Sequence, residues 1–168
     1  MIQNKQVIGV TGPTGSGKSY ISRLFKEIGA FVIEADKIGH DVLINEAKSD
    51  ILTCFGTLDR KEIGKAVFTS SEKLKILNNI MYPLIIKRIL NIVEEHEFTV
   101  IDAALLFETG LDKYCTKIIY VLANRKSRLK RIMERDKITL EQAENRLKSQ
   151  SAKIPDVNIV ICNDYEKL

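Results

Sequence analysis

The chain has 168 residues, a length that fits one domain around one core, because two cores of half that size would each be marginal. Its 26 basic and 22 acidic side chains leave a net charge of +4, which suits an anionic small-molecule substrate and is too slight for a nucleic-acid surface. Cys54, Cys115 and Cys162 are scattered and odd in number, giving no disulfide framework and no zinc pattern, and no apolar run approaches the roughly 20 residues that span a bilayer. Met1 to Lys5 leads directly into a strand, with no room for a signal peptide. These features lead us to expect a cytoplasmic protein without a membrane or nucleic-acid partner, and a monomer is the default state.

The first expected strand, Gln6 to Thr11, delivers Gly12-Pro13-Thr14-Gly15-Ser16-Gly17-Lys18-Ser19, a complete G-x-x-x-x-G-K-S phosphate loop. A loop that wraps a polyphosphate turns its backbone N–H groups inward, so Gly12, Gly15 and Gly17 stand where a Cβ would block the approach. Lys18 supplies a point charge near the β and γ phosphates, and Ser19 offers a hydroxyl to Mg²⁺. The helix that follows aims its unpaired N–H groups at the same anion. A helical pattern from Ser19 to Ile28, with Ile21, Leu24, Phe25 and Ile28 apolar, stops at Gly29. The loop therefore predicts a bound nucleoside triphosphate, with Ser16 and Tyr20 alongside Lys18 and Ser19 in its site.

A second strand, Phe31 to Ile33, ends in Glu34-Ala35-Asp36, two carboxylates at the end of a strand where open α/β sheets bind ligands. Alternation in an extended chain would put both on one side. Asp36 either orients an acceptor hydroxyl and takes its proton, or caps the helix beginning near Lys37. From about 38 to 96 the pattern is helical, including Ser71 to Ile80 and a helix from Pro83 to Glu95 opened by its proline. This insertion is expected to shape the second substrate's site within the same domain. His40 and His96 are isolated and receive no catalytic role.

Two further strands follow, Phe98 to Ile101 and Lys117 to Leu122, and a last one at Asn158 to Ile161. Asp102, after the third, has the context of an Mg²⁺ ligand, but apolar runs ending in Asp are common and a turn residue is the favoured reading. Glu108 reaches toward a substrate or faces water. On the basic helix that begins near Arg125, Arg128, Arg131 and Arg135 share a stripe of roughly 60° at about 100° per residue, beside an apolar face of Leu129, Ile132 and Met133. Given the phosphate loop, a lid over about 125–150 explains the stripe better than plain solvation, with Arg131 and Arg135 turned to phosphate. Alternating strands and helices predict an α/β fold with a five-stranded parallel sheet flanked by helices.

Together these segments resemble the dephospho-CoA kinases, P-loop kinases that phosphorylate the ribose 3′-hydroxyl of dephospho-CoA. The resemblance spans nearly the whole chain. It is carried by Gly9-Val10-Thr11-Gly12 and the loop, Glu34-Ala35-Asp36 with Val42, Leu58-Asp59-Arg60 with Val67-Phe68, Tyr82-Pro83-Leu84-Ile85, Leu105-Leu106-Phe107-Glu108, and Arg131 with Arg135-Asp136. It implies the P-loop kinase fold, with ATP and Mg²⁺ as cofactors and dephospho-CoA as the acceptor partner. It also implies catalytic roles for Asp36, Lys18 and Arg135, and an insertion that grips the CoA moiety. The chain departs from the family pattern at Glu34 (usually Asp), Tyr82 (usually His), Ala104 (usually Pro) and Tyr20 (usually Thr). The segment before Leu58 is shortened, and the usual final helix after Asn163 is not expected. A nucleoside or nucleotide kinase and a degenerate nucleotide binder are the alternatives on this scaffold. A GTP switch lacks its guanine-reading element, since Asn124-Arg125-Lys126-Ser127 has no carboxylate.

Overall fold

A computed structural model describes residues 5–148 and 154–164. Strands β1 (Gln6–Thr11), β2 (Phe31–Glu34), β3 (Phe98–Asp102), β4 (Lys117–Leu122) and β5 (Ile159–Cys162) form one parallel sheet in the order β2-β3-β1-β4-β5. The central strands are apolar on both faces because both are covered. Val7, Ile33 and Ile101 face one layer of helices, while Val10, Val100, Ile119 and Val121 face the other. Successive residues alternate between the two cores, as the period of an extended strand requires.

Helix α1 (Lys18–Glu27) lies on the second face, where Ile21 is buried and Phe25 meets Phe98 edge-on at 6.2 Å. The apolar stripe is narrower than the sequence pattern suggests, because Leu24 is 40 % and Ile28 71 % exposed, and the second fully enclosed side chain is Ser22. That polar residue is held in place by the site described below.

The opposite layer is the helical insertion: α2 (Ala35–Ile44), α3 (Lys48–Phe55), α4 (Arg60–Phe68) and α5 (Ser71–Glu94). Asp59 caps α4 by accepting from the Lys61 and Glu62 N–H groups at 2.8 and 3.0 Å, and Ser70 caps α5 through Lys73 N–H. The two expected helices around Tyr82 are one, with Pro83 inside α5. A proline here removes only its own N–H, and the buried stripe Met81, Ile85, Ile89 and Val93 holds both halves against α2, α3 and α4. By length and composition α5 could cross a membrane, with a mean hydropathy of 1.3 over its most apolar stretch, contrary to the expectation that no apolar run approaches a span. Its buried stripe packs against α2, α3 and α4.

Helices α6 (Arg125–Asp136) and α7 (Leu140–Lys148) pack on each other through Leu129, Ile132 and Ala143. The leader reading at residues 1–4, the last two positions of the expected lid and the expected absence of a helix after Asn163 fall wholly or partly outside the described residues.

Candidate active site

All five strands point their C-terminal ends at one edge, and the phosphate loop leaves β1 there. Gly12 has φ +144°, and a Cβ on it would fall on the Val121 carbonyl oxygen. Gly17, at φ +95°, opens α1 without a side-chain cap, and a Cβ on it would meet the Asn163 amide. The first N–H groups of α1 thus have no side-chain cap, and among the described residues the enclosed Ser16 hydroxyl has no hydrogen-bond partner.

Lys18 Nζ lies along the loop, 2.9 Å from the Gly12 carbonyl oxygen. Burial lowers its pKa, opposed by the charges of Asp102 and Asp36 and reinforced by those of Arg135 and Arg128. One point therefore senses four side chains from two helices and the end of the sheet. Asp102 is the surprise among them. It is not a turn residue: it ends β3 in register with Val10 and is 8 % exposed. Burial raises its pKa most, while Lys18 and hydrogen bonds from Ser19 and Ser22 pull it down. Ser22 Oγ sits 3.1 Å from Asp102 Oδ2 and 3.1 Å from the Lys18 carbonyl, so its single proton is shared between them. Hydroxyl and carboxylate oxygens beside a triphosphate loop are a hard donor set that fits Mg²⁺.

Asp36 is in the first turn of α2, and the helix is not capped by it, since its N-cap is Glu34. Because β2 stops at Glu34, the strand alternation expected to carry both carboxylates into the site does not extend to Asp36. Glu34 is instead paired with Lys37 at 2.7 Å. Asp36 lines a cleft of about 330 Å³ between α2, α4, α5 and the segment after β3, together with His40, Arg60, Asn78, Tyr82 and Leu105. Apolar side chains such as Leu43, Ile63 and Met81 make up much of the wall. His40, set aside on sequence grounds, is therefore part of this wall, whereas His96 stacks on Phe31 at 3.8 Å, away from the site.

The arginine stripe divides. Arg128 Nε donates to the Thr14 carbonyl at 2.9 Å. Arg131 Nη1 donates to the Gly15 and Ser16 carbonyls at 3.3 and 3.2 Å, and its Nη2 to the Asn163 carbonyl at 2.8 Å. These two brace the loop's backbone through its carbonyls, a contact the helical stripe did not predict for Arg131. Arg135 is the member whose charge acts on both Lys18 and Asp36. Asn163 completes the brace, its Nδ2 donating to the Ser16 carbonyl at 3.0 Å.

A family model of dephospho-CoA kinases matches residues 6–166. The chain belongs to the dephospho-CoA kinase family. A dephospho-CoA kinase of Fusobacterium nucleatum is 40 % identical, with 94 % of this chain and 89 % of that one aligned. The solved dephospho-CoA kinase of Campylobacter jejuni is 30 % identical, covering 96 % of this chain and 90 % of that one at a TM-score of 0.62. A Thermus thermophilus crystal structure superimposes more closely, at a TM-score of 0.85 and 25 % identity over 97 % of this chain and 91 % of that one. As a member of the dephospho-CoA kinase family the chain is an ATP-dependent kinase with a P-loop fold.

Its departures from the family pattern fall on both sides of the site. Tyr82 stands in the cleft wall, where burial raises its phenol pKa and the Glu108 charge adds to the effect. Glu108 is exposed but acts on both Tyr82 and Tyr120. Tyr20 is 47 % exposed, its ring 5.3 Å beneath the Arg23 guanidinium carbon. Ser22, Arg60 and Asn163 are given no site role by the sequence, and Asp102, weighed there as an Mg²⁺ ligand, is read as a turn residue. Arg60 and Asp102 had a visible signal, one after a capping Asp and the other at a strand end, while Ser22 and Asn163 had none.

Proposed function

We propose that the chain makes coenzyme A from dephospho-CoA, with Asp36 accepting the proton of the ribose 3′-hydroxyl as its oxygen attacks the γ phosphorus of ATP. The new O–P bond forms as the bond to the bridging β,γ oxygen breaks, and ADP leaves with that electron pair. The observation carrying this reading is the convergence of donor and acceptor groups: Lys18 senses Asp102, Asp36, Arg135 and Arg128, and Asp36 is at the same time a wall of the acceptor cleft. In this reading the loop amides from Gly12 to Tyr20 hold the phosphates, Lys18 and Arg135 neutralise charge on the transferring group, and the cleft orients dephospho-CoA. Ser19 and Asp102 would hold Mg²⁺, which when bound offsets the charge on the β and γ phosphates. Arg131 acts on the donor side as a brace for the loop.

The chain works as one domain in this reading, with α2–α5 holding the acceptor and α6–α7 covering the donor, in the cytoplasm and as a monomer. Purified protein with ATP and Mg²⁺ should phosphorylate dephospho-CoA at the 3′ position in an acceptor panel that includes nucleosides. Phosphorylation of a nucleoside in place of dephospho-CoA overturns the reading. Asp36→Asn should lower kcat by about 10²-fold or more and leave ATP affinity within about threefold, as loss of a general base does.

A further inference from the structure

We propose that Asp136 is a positioning residue for the transfer step, holding the Arg135 guanidinium at the transfer point while Arg146 of α7 holds Asp136. The proposal rests on the kinase reading above. Arg135 and Asp136 are consecutive, and neighbours on a helix point about 100° apart and ordinarily do not meet. Here Arg135 Nε donates to Asp136 Oδ1 at 2.7 Å and Nη2 donates to Oδ2 at 3.0 Å, a two-point fork. Asp136 is the last residue of α6, and the next, Lys137, has φ 51°, the one positive φ outside glycine among the described residues. From that turn α7 packs back on α6, and Arg146 Nη1 on α7 donates to Asp136 Oδ2.

The arrangement has a directional consequence. The fork uses the Nε and Nη2 edge of Arg135, and Nη1 makes no hydrogen bond among the described residues. The same guanidinium lies close enough to Lys18 and Asp36 for its charge to act on both. The Arg135 side chain is 62 % exposed, so packing does little to restrict its rotamers, whereas Asp136 at 21 % is held between two cations. A flexible arginine becomes a fixed donor when one edge is tied and the other left for an anion, which is how positioning lowers a transfer barrier. A carboxylate that only closed the α6–α7 turn would need Arg146 and not the fork on Arg135.

The test is a double-mutant cycle on the full chain, with ATP, Mg²⁺ and dephospho-CoA. Asp136→Asn is expected to lower kcat about tenfold or more, with both KM values within about threefold, because the lost interaction acts in the transition state. Arg135→Ala should lower kcat at least as far, and adding Asp136→Asn to it should cost less than about twofold more, since the first acts through the second. Arg146→Ala should reproduce part of the Asp136→Asn loss. Multiplicative losses in the double variant, or unchanged kcat in a folded Asp136→Asn, overturn the proposal. Should Asp136→Asn lower the melting temperature by more than about 5 °C, Asp136→Glu is read in its place, with kcat above the Asn level supporting the role and no recovery overturning it. A parent protein that turns over no dephospho-CoA sinks the kinase reading and this inference together, whereas multiplicative losses in an active parent sink the inference alone.

Discussion

Asp102 and Ser22 meet across 80 residues of sequence, and no linear pattern pairs them. An apolar strand ending in Asp reads more readily as a turn. Only the register with Val10 and the burial of the carboxylate beside Lys18 turn it into a candidate Mg²⁺ holder. Asp102→Asn keeps the shape and removes the charge, and is expected to lower kcat/KM for ATP by about 10²-fold or more, measured at saturating Mg²⁺. A loss below tenfold would return Asp102 to a structural role. Cys115 gives an independent check on the core. Burial, with the nearby Asp112 charge, pushes its pKa up to about 12, and its thiol donates to the Leu111 carbonyl. Because the folded pKa is raised, the thiolate stays scarce from pH 7 to 10, so Cys115 should resist alkylation there while the exposed Cys54 and Cys162 react. Mass spectrometry after a pH series of labelling reads this directly.

At the scale of elements, strand ends, the loop and α1 were legible to within a residue or two, because each is encoded by adjacent residues. The division of the arginine stripe was not, since helical spacing fixes which residues share a face and says nothing of what the face meets. Arg131 and Asn163 meet the loop's carbonyls because β5 ends beside Gly17. Asn163→Ala removes one side-chain hydrogen bond and spares the main-chain pairing to Leu122. The KM for ATP should therefore rise about five- to tenfold, with that for dephospho-CoA within twofold, as loss of about 1 kcal/mol on the donor side would give. Pro83 was read as a helix start because that is where prolines are best tolerated, yet packing carries α5 through it. Pro83→Ala restores an N–H for the Asn79 carbonyl and should stabilise the fold by about 1–3 kcal/mol in urea unfolding. The KM for dephospho-CoA should rise as well, since Tyr82 in the cleft wall adjoins it.

For the molecule as a whole, the sheet's C-terminal edge is where two layers of helices deliver unlike chemistry, a glycine-rich loop and the start of α1 from one and a largely apolar cleft from the other. A ligand that binds the folded chain at that edge and not the unfolded one adds its binding free energy to folding. ATP with Mg²⁺ at a hundredfold over Kd should add about 2.7 kcal/mol and raise Tm by roughly 5–10 °C. Lys18→Ala should lose most of that shift while leaving the unliganded Tm nearly unchanged.

The amino-acid sequence by itself determined the parallel α/β architecture, the phosphate loop, the helical insertion and the basic helix, because each is written in contiguous residues with its own period. Tertiary structure decided which carboxylate sits against Lys18, which arginines brace the loop and what lines the cleft. Those depend on strand register and burial, which bring Ser22 to Asp102 across 80 residues and Asn163 to Ser16 across 147. No local pattern carries information at that range, because what selects such contacts is the cost of leaving polar groups unpaired in a packed interior.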